Sequence, residues 1–110
     1  MARIITERVI RSSGNVFADM GLPDAAELDT KARLGAALNL IVGREHLTQA
    51  EVAIALGINQ PKVSALLNYK LEGFSVERLM HFLVALGQDV EIVVKSKPRT
   101  RSARIAVKAA

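Results

Sequence analysis

A chain of 110 residues can bury one hydrophobic core but not two, so a single domain is expected. Half of the residues are hydrophobic, yet no apolar run approaches the roughly 18 residues that suggest a membrane span and no secretory pattern opens the chain, which points to a soluble cytoplasmic protein. The absence of cysteine excludes disulfides, thiolate metal sites and cysteine nucleophiles, and the net charge of +4 is uneven: six bases and no acid fall within residues 95–110, leaving nine bases against eleven acids in residues 1–94.

The body is therefore not a polycation. Any affinity for nucleic acid has to come from locally placed charges, supplemented by a basic C-terminal tail over residues 96–110 that lies beyond a domain of residues 1–95. Residues 3–10 mix β-branched and charged side chains and read as a candidate edge strand. Ser12, Ser13, Gly14 and Asn15 form a turn cluster, after which Val16, Phe17 and Met20 make a short apolar turn closed by Gly21. Pro23 and Asp24 open a long helix, with Asp24 and Glu27 near the positive end of its dipole. Leu28, Ala32, Gly35, Leu38 and Val42 recur at helical spacing, with Leu34 and Ile41 widening the stripe, and the helix is expected to run to about Arg44.

Residues 47–70, LTQAEVAIALGINQPKVSALLNYK, carry the most information. Thr48 caps a helix while Glu51 reaches back to the cap amide, and Leu47 and Val52 sit at hydrophobic-staple spacing. This helix should bury Val52, Ala53 and Leu56 and end at Gly57, whose missing side chain permits a left-handed backbone. Asn59 offers a second cap, and Pro61 falls in the first turn of the next helix, where its missing N–H costs little. Val63, Leu66 and Leu67 turn inward, which leaves Gln60, Lys62, Ser64 and Ala65 on the outer, N-terminal part. Two helices so joined match the geometry of a helix-turn-helix, whose second helix offers such positions to base edges.

Phe74, Ser75 and Leu79 repeat the staple-and-cap arrangement, and Val76, Leu79, Met80, Leu83 and Leu86 draw one apolar face up to Gly87. Phe82 and Val84 fall off that stripe, as a wide core face or an exposed patch. Val90, Ile92 and Val94 alternate with Glu91, Val93 and Lys95, the pattern of a C-terminal strand covered on one side. Its partner would be residues 4–10, residues 103–107 or the same strand of a second subunit. The run 96–102 has Pro and charge but no apolar residue, and reads as a linker. The fold class expected is mainly α: a compact helical bundle with a helix-turn-helix of the phage-repressor type, plus that strand.

The segment LTQAEVAIALGI followed by VSALLNYK resembles the helix-turn-helix of the XRE (Cro/repressor-like) family. The frame around it, SSGNVFADMGLPDA before and FSVERLMHFLVALGQDVEIVV after, is similar to HigA-like antitoxins of toxin–antitoxin pairs. The resemblance covers residues 12–95. It implies a double-stranded DNA operator read by Gln60, Lys62, Ser64 and Ala65, with phosphate contacts from Gln49, Asn68 and Lys70. It also implies a RelE/HigB-like toxin as partner, a small basic ribonuclease held inactive by the antitoxin. Acids at Glu7, Asp19, Asp24, Glu27 and Asp29 would steer such a partner, and Ile54, Phe82, Val84 and Val93 are apolar groups that a monomer need not expose. The small footprint of one domain adds a homodimer on an inverted repeat.

Three features depart from the family pattern. Ile54 and Ala55 stand where charge is usual, Leu67 where an acid is common, and Tyr69 where Gly is usual. Those at Ile54, Ala55 and Leu67 favour the rival reading, a helix-turn-helix fold used only as a protein-interaction module. An enzyme is not expected, since no GxSxG, HExxH, GxGxxG or P-loop spacing occurs, and no catalytic residue is assigned. His46 and His81 have no ligand-spaced companion, so surface or cap roles are expected for them, with no metal and no cofactor.

Overall fold

The computed structural model describes residues 25–109. Four helices follow in order: α1 (Ala25–Arg44), α2 (Gln49–Leu56), α3 (Gln60–Leu67) and α4 (Val76–Ala85). The edge strand, the apolar turn and the Pro23–Asp24 start expected from the sequence lie outside the described residues. None of the described helices is long and apolar enough to cross a membrane.

Each boundary after α1 has a local cause. Thr48 and Glu51 form a capping box, with the Glu51 N–H donating to Thr48 Oγ1 at 3.1 Å and the Thr48 N–H to Glu51 Oε1 at 2.8 Å. Gly57 ends α2 at φ +69°, donating its N–H to the Ala53 carbonyl. Asn59 caps α3 by accepting from the Lys62 N–H at 2.9 Å, and Ser75 caps α4 by accepting from the Arg78 N–H at 3.0 Å. α1 ends differently. His46 takes φ +55°, while the N–H groups of Glu45, His46 and Leu47 fold back onto the carbonyls of Ile41, Gly43 and Val42.

The main core lies between α1 and α4, built on Leu34, Leu38, Ile41, Leu79, Phe82 and Leu83 and closed by Leu66, Leu71 and Phe74. A smaller cluster of Val52, Ala53 and Val63 locks α2 to α3, and half-buried Val42, Leu47, Leu56 and Ile58 touch both clusters. Leu38, Val52, Val63, Leu66 and Leu79 have no solvent exposure. The buried face of α1 is the expected one at its centre and narrower at its edges. Leu34, Gly35, Ala37, Leu38 and Ile41 are buried, whereas Leu28, Ala32 and Val42 are only half-buried. So many apolar residues surround this helix that spacing alone leaves its rotation undetermined, and the bulk of Leu34 and Ile41 decides it. Thr30 and Lys31 are buried as well. The Thr30 hydroxyl donates to the Ala26 carbonyl, and Lys31 lays its stem on the core while its ammonium reaches Glu27 at 3.4 Å.

The expected C-terminal strand does not form. Residues 88–98 are in no regular element, and no strand occurs among the described residues apart from an isolated β-bridge at Lys108. Ile92 and Val94 are 70% and 93% exposed, although the alternation is intact. An alternating run becomes a strand only when another strand takes up its backbone groups, and neither 103–107 nor any other described segment does so. Phe82 is also not an exposed patch: it is core at 5% exposure, while Val84 points to solvent.

Truncating Leu66, which has zero exposure, should cost about 2–5 kcal/mol as a buried Leu-to-Ala change. Ile54→Ala, at a position 84% exposed, should stay within about 0.5 kcal/mol of the parent chain. Urea denaturation followed by circular dichroism measures both, and equal losses would mean that the burial pattern is wrong.

Candidate nucleic-acid interface

The recognition helix α3 is held at both ends and along one side, which leaves its N-terminal face to solvent. Asn59 fixes the start, Pro61 stands in the first turn without leaving an orphan donor, and Val63 and Leu66 are driven fully inward. At the far end the Asn39 side-chain amide donates to the Leu67 carbonyl at 3.2 Å, and also to the Gly35 carbonyl at 3.1 Å. This bond ties the last turn of α3 to the middle of α1.

Of the expected base-reading residues, Gln60 and Lys62 are exposed, and Ser64 and Ala65 are half-buried. An exposed amide and an exposed ammonium at a helix start can reach a groove floor, whereas Ala65 offers only a methyl. Gln49 is exposed at the first residue of α2, directly after the Thr48 cap. Its place beside unsatisfied helix N–H groups suits a phosphate oxygen. Asn68 is turned back instead. Its side-chain nitrogen donates to the Ser64 carbonyl at 2.8 Å and to the Ser64 hydroxyl at 3.5 Å, capping α3, which leaves its amide oxygen for another partner.

Tyr69 is where the departure from the family pattern has a visible structural answer. Its backbone sits at φ +63°, the conformation for which Gly is the inexpensive residue. The strain of about 1–2 kcal/mol is offset by packing of the ring on α1, where a Cβ at Gly35 would lie 3.3 Å from Tyr69 Cδ1 and Cε1. The usual Gly has moved, in effect, to the other side of the contact.

Lys62, Ala65 and Lys70 line one shallow concavity with Glu72, Gly73, Phe74 and Arg78. Gln49, Gln60 and Ser64 lie outside it. Arg78, three residues after the Ser75 cap, joins this concavity without any expectation from the sequence. Its guanidinium carbon stands 5.3 Å from the ring centroids of both Phe74 and Phe82, and these rings meet edge to face at 5.7 Å. His46 and His81 are exposed, and His81 lies 3.8 Å from Glu77. Among the described residues no group of three His, Cys, Asp or Glu side chains is placed to hold a metal ion.

Comparison with known proteins follows the same outline. A family described as a helix-turn-helix domain matches residues 16–95, a span that contains all four described helices. No curated protein matches the chain. Among solved structures the chain is 66% identical to one described as a "Putative XRE Family Transcriptional Regulator", with a TM-score of 0.75; the match covers 80% of this chain and 100% of that one. With a capped second helix presented as a DNA reader requires, and with this much of its length matched, the chain belongs to the XRE type of helix-turn-helix family.

Proposed function

We propose that this protein is a sequence-specific DNA-binding transcriptional regulator, and the antitoxin and autorepressor of a toxin–antitoxin operon. The observation that carries the DNA-binding reading is the exposed pair Gln60 and Lys62 on a helix whose other face, at Val63 and Leu66, has no solvent exposure. In this reading Gln60, Lys62, Ser64 and Ala65 face bases, while Gln49, Lys70 and the amide oxygen of Asn68 meet phosphates. The 84% exposure of Ile54 on α2 favours the rival interaction module, and a gel shift on random duplex separates the two. Gln60→Ala should weaken operator binding by about 1–3 kcal/mol and leave random duplex nearly untouched, because only a base edge distinguishes sequences. Gln49→Ala should weaken both alike. Equal losses on both duplexes for Gln60→Ala would remove it from base reading.

We infer a homodimer whose recognition helices stand about 34 Å apart on an inverted repeat. Exposed Ile92 and Val94, in a segment with no strand partner among the described residues, support it, since a second copy could supply both the cover and the backbone partners. Sedimentation should give a dimer both free and on DNA. A monomer under both conditions would exclude this assembly.

The antitoxin role rests on the resemblance. Of the acids argued for it, Glu27 pairs with Lys31 and Asp29 pairs with Arg33 at 2.7 Å, while Glu7, Asp19 and Asp24 lie outside the described residues. Exposed Ile54, Val84 and Val93 still offer apolar area to a partner. Co-expression is the test. A neighbouring RelE/HigB-like gene should arrest growth alone, and this protein should restore growth even with Gln60 and Lys62 both changed to Ala. Rescue that requires intact DNA binding would mean repression without neutralisation.

A further inference from the structure

Arg78 is held in place by its neighbours and has no carboxylate partner among the described residues. The ion pairs among the described residues join Lys31 to Glu27, Arg33 to Asp29 and His81 to Glu77, and none reaches Arg78. Its guanidinium lies against two core aromatics, each 5% exposed, which fixes the side chain at the rim of the core. An arginine ordinarily surrenders much rotamer freedom when it binds a ligand. Here the stack has already taken most of that cost, and a weakly hydrated planar cation can lie on a ring face and still offer its N–H edge outward.

The surroundings choose the class of ligand. Lys62 and Lys70 are exposed and line the same concavity as Arg78, against one acid, Glu72. Neither lysine is ion-paired among the described residues, and Glu77, one residue before Arg78, lies near His81 instead. Three cations around one carboxylate make a socket for a dianionic or monoanionic phosphoryl oxygen set, which an Arg fork grips in two-point fashion. Because Lys62 belongs to α3, the socket adjoins the face presented to the major groove. We propose that Arg78, together with Lys70, binds one DNA backbone phosphate beside the groove that α3 enters, leaving Lys62 at the rim to face the bases, and so sets the depth and tilt of that helix. The inference rests on the DNA-binding reading. It adds a contact from α4, outside the helix-turn-helix itself.

The test compares Arg78→Met, Arg78→Lys and Lys70→Gln with the parent chain on operator and random duplex over a range of salt, with thermal unfolding measured in parallel. Arg78→Met should weaken both duplexes by a similar factor, about tenfold, and flatten the log-affinity against log-salt slope by about 0.9, the loss of one phosphate contact. Arg78→Lys should keep the slope and recover only part of the affinity, since it retains charge without the fork. Lys70→Gln, a change at an exposed side chain, should flatten the slope with no loss of melting temperature. If Arg78→Met melts lower but binds with the parent slope once the folded fraction is allowed for, Arg78 only braces the aromatic pair and the proposal fails. A loss confined to the operator would make it a base reader, which also overturns it. Inorganic phosphate that shifts the Arg78 side-chain resonance, alongside an unchanged DNA slope in Arg78→Met, would assign the socket to free phosphate rather than DNA. Failure of the parent chain to bind any duplex would overturn the DNA-binding reading itself, whereas normal parent binding with an unaltered Arg78→Met slope overturns this inference alone.

Discussion

The orientation of the reading face depends on a two-residue turn. Gly57 and Ile58 are all that separates the end of α2 from the Asn59 cap of α3, and both donate their N–H groups to one carbonyl, that of Ala53, at 2.9 and 3.1 Å. Such a turn has almost no freedom. It brings Val52 and Ala53 against Val63, and that small cluster then fixes how far α3 is rotated about its own axis. Neighbouring positions on a helix differ by about 100°, so a slip of one residue would bury Lys62 and expose Val63. The burial of an unpaired ammonium, several kcal/mol on any scale, makes that alternative inaccessible.

Given that rotation, the remaining parts act as braces. Asn39 holds the C-terminal turn of α3 to α1 through the Leu67 carbonyl, and Tyr69 lays its ring on Gly35 of α1, where a Cβ would crowd it. The segment 71–75 then returns two core residues, Leu71 and Phe74, before Ser75 restarts a helix. These are neutral contacts. A surface that must meet a polyanion gains little from cations engaged in internal ion pairs, and the ion pairs joining described residues lie on α1 and on the outer side of α4. Stability is thus supplied by packing and capping, and charge is left available for recognition.

Local rules made the helix-turn-helix readable. Capping boxes, a left-handed Gly and an N-terminal Pro act over three or four residues, so Thr48, Glu51, Gly57, Asn59, Pro61 and Ser75 could each be placed from their neighbours. What depends on distant partners was less legible. The rotation of α1 is settled only where the bulk of Leu34 and Ile41 meets α4, the burial of Phe82 depends on Phe74 and Leu79, and the state of residues 90–94 on whatever strand lies beside them. Alternation in Val90, Ile92 and Val94 describes a disposition to pair, and among the described residues that disposition is unmet. Arg78 belongs with these. Its side chain gains meaning only when Phe74 and Phe82, eight residues apart, are seen to meet under it.

The chain has a single tyrosine and no tryptophan, and that tyrosine is the half-exposed ring next to the recognition helix. Near-ultraviolet emission from the native protein therefore originates at one known place. Its intensity depends on whether the phenol rests on the glycine notch of α1, faces solvent or lies against a nucleic acid base that quenches it. Because Tyr69 directly follows the last turn of α3 and its cap, the unmodified polypeptide carries a built-in optical reporter of the seating of that helix. No label has to be attached, and none of the residues that bind has to be altered to read it.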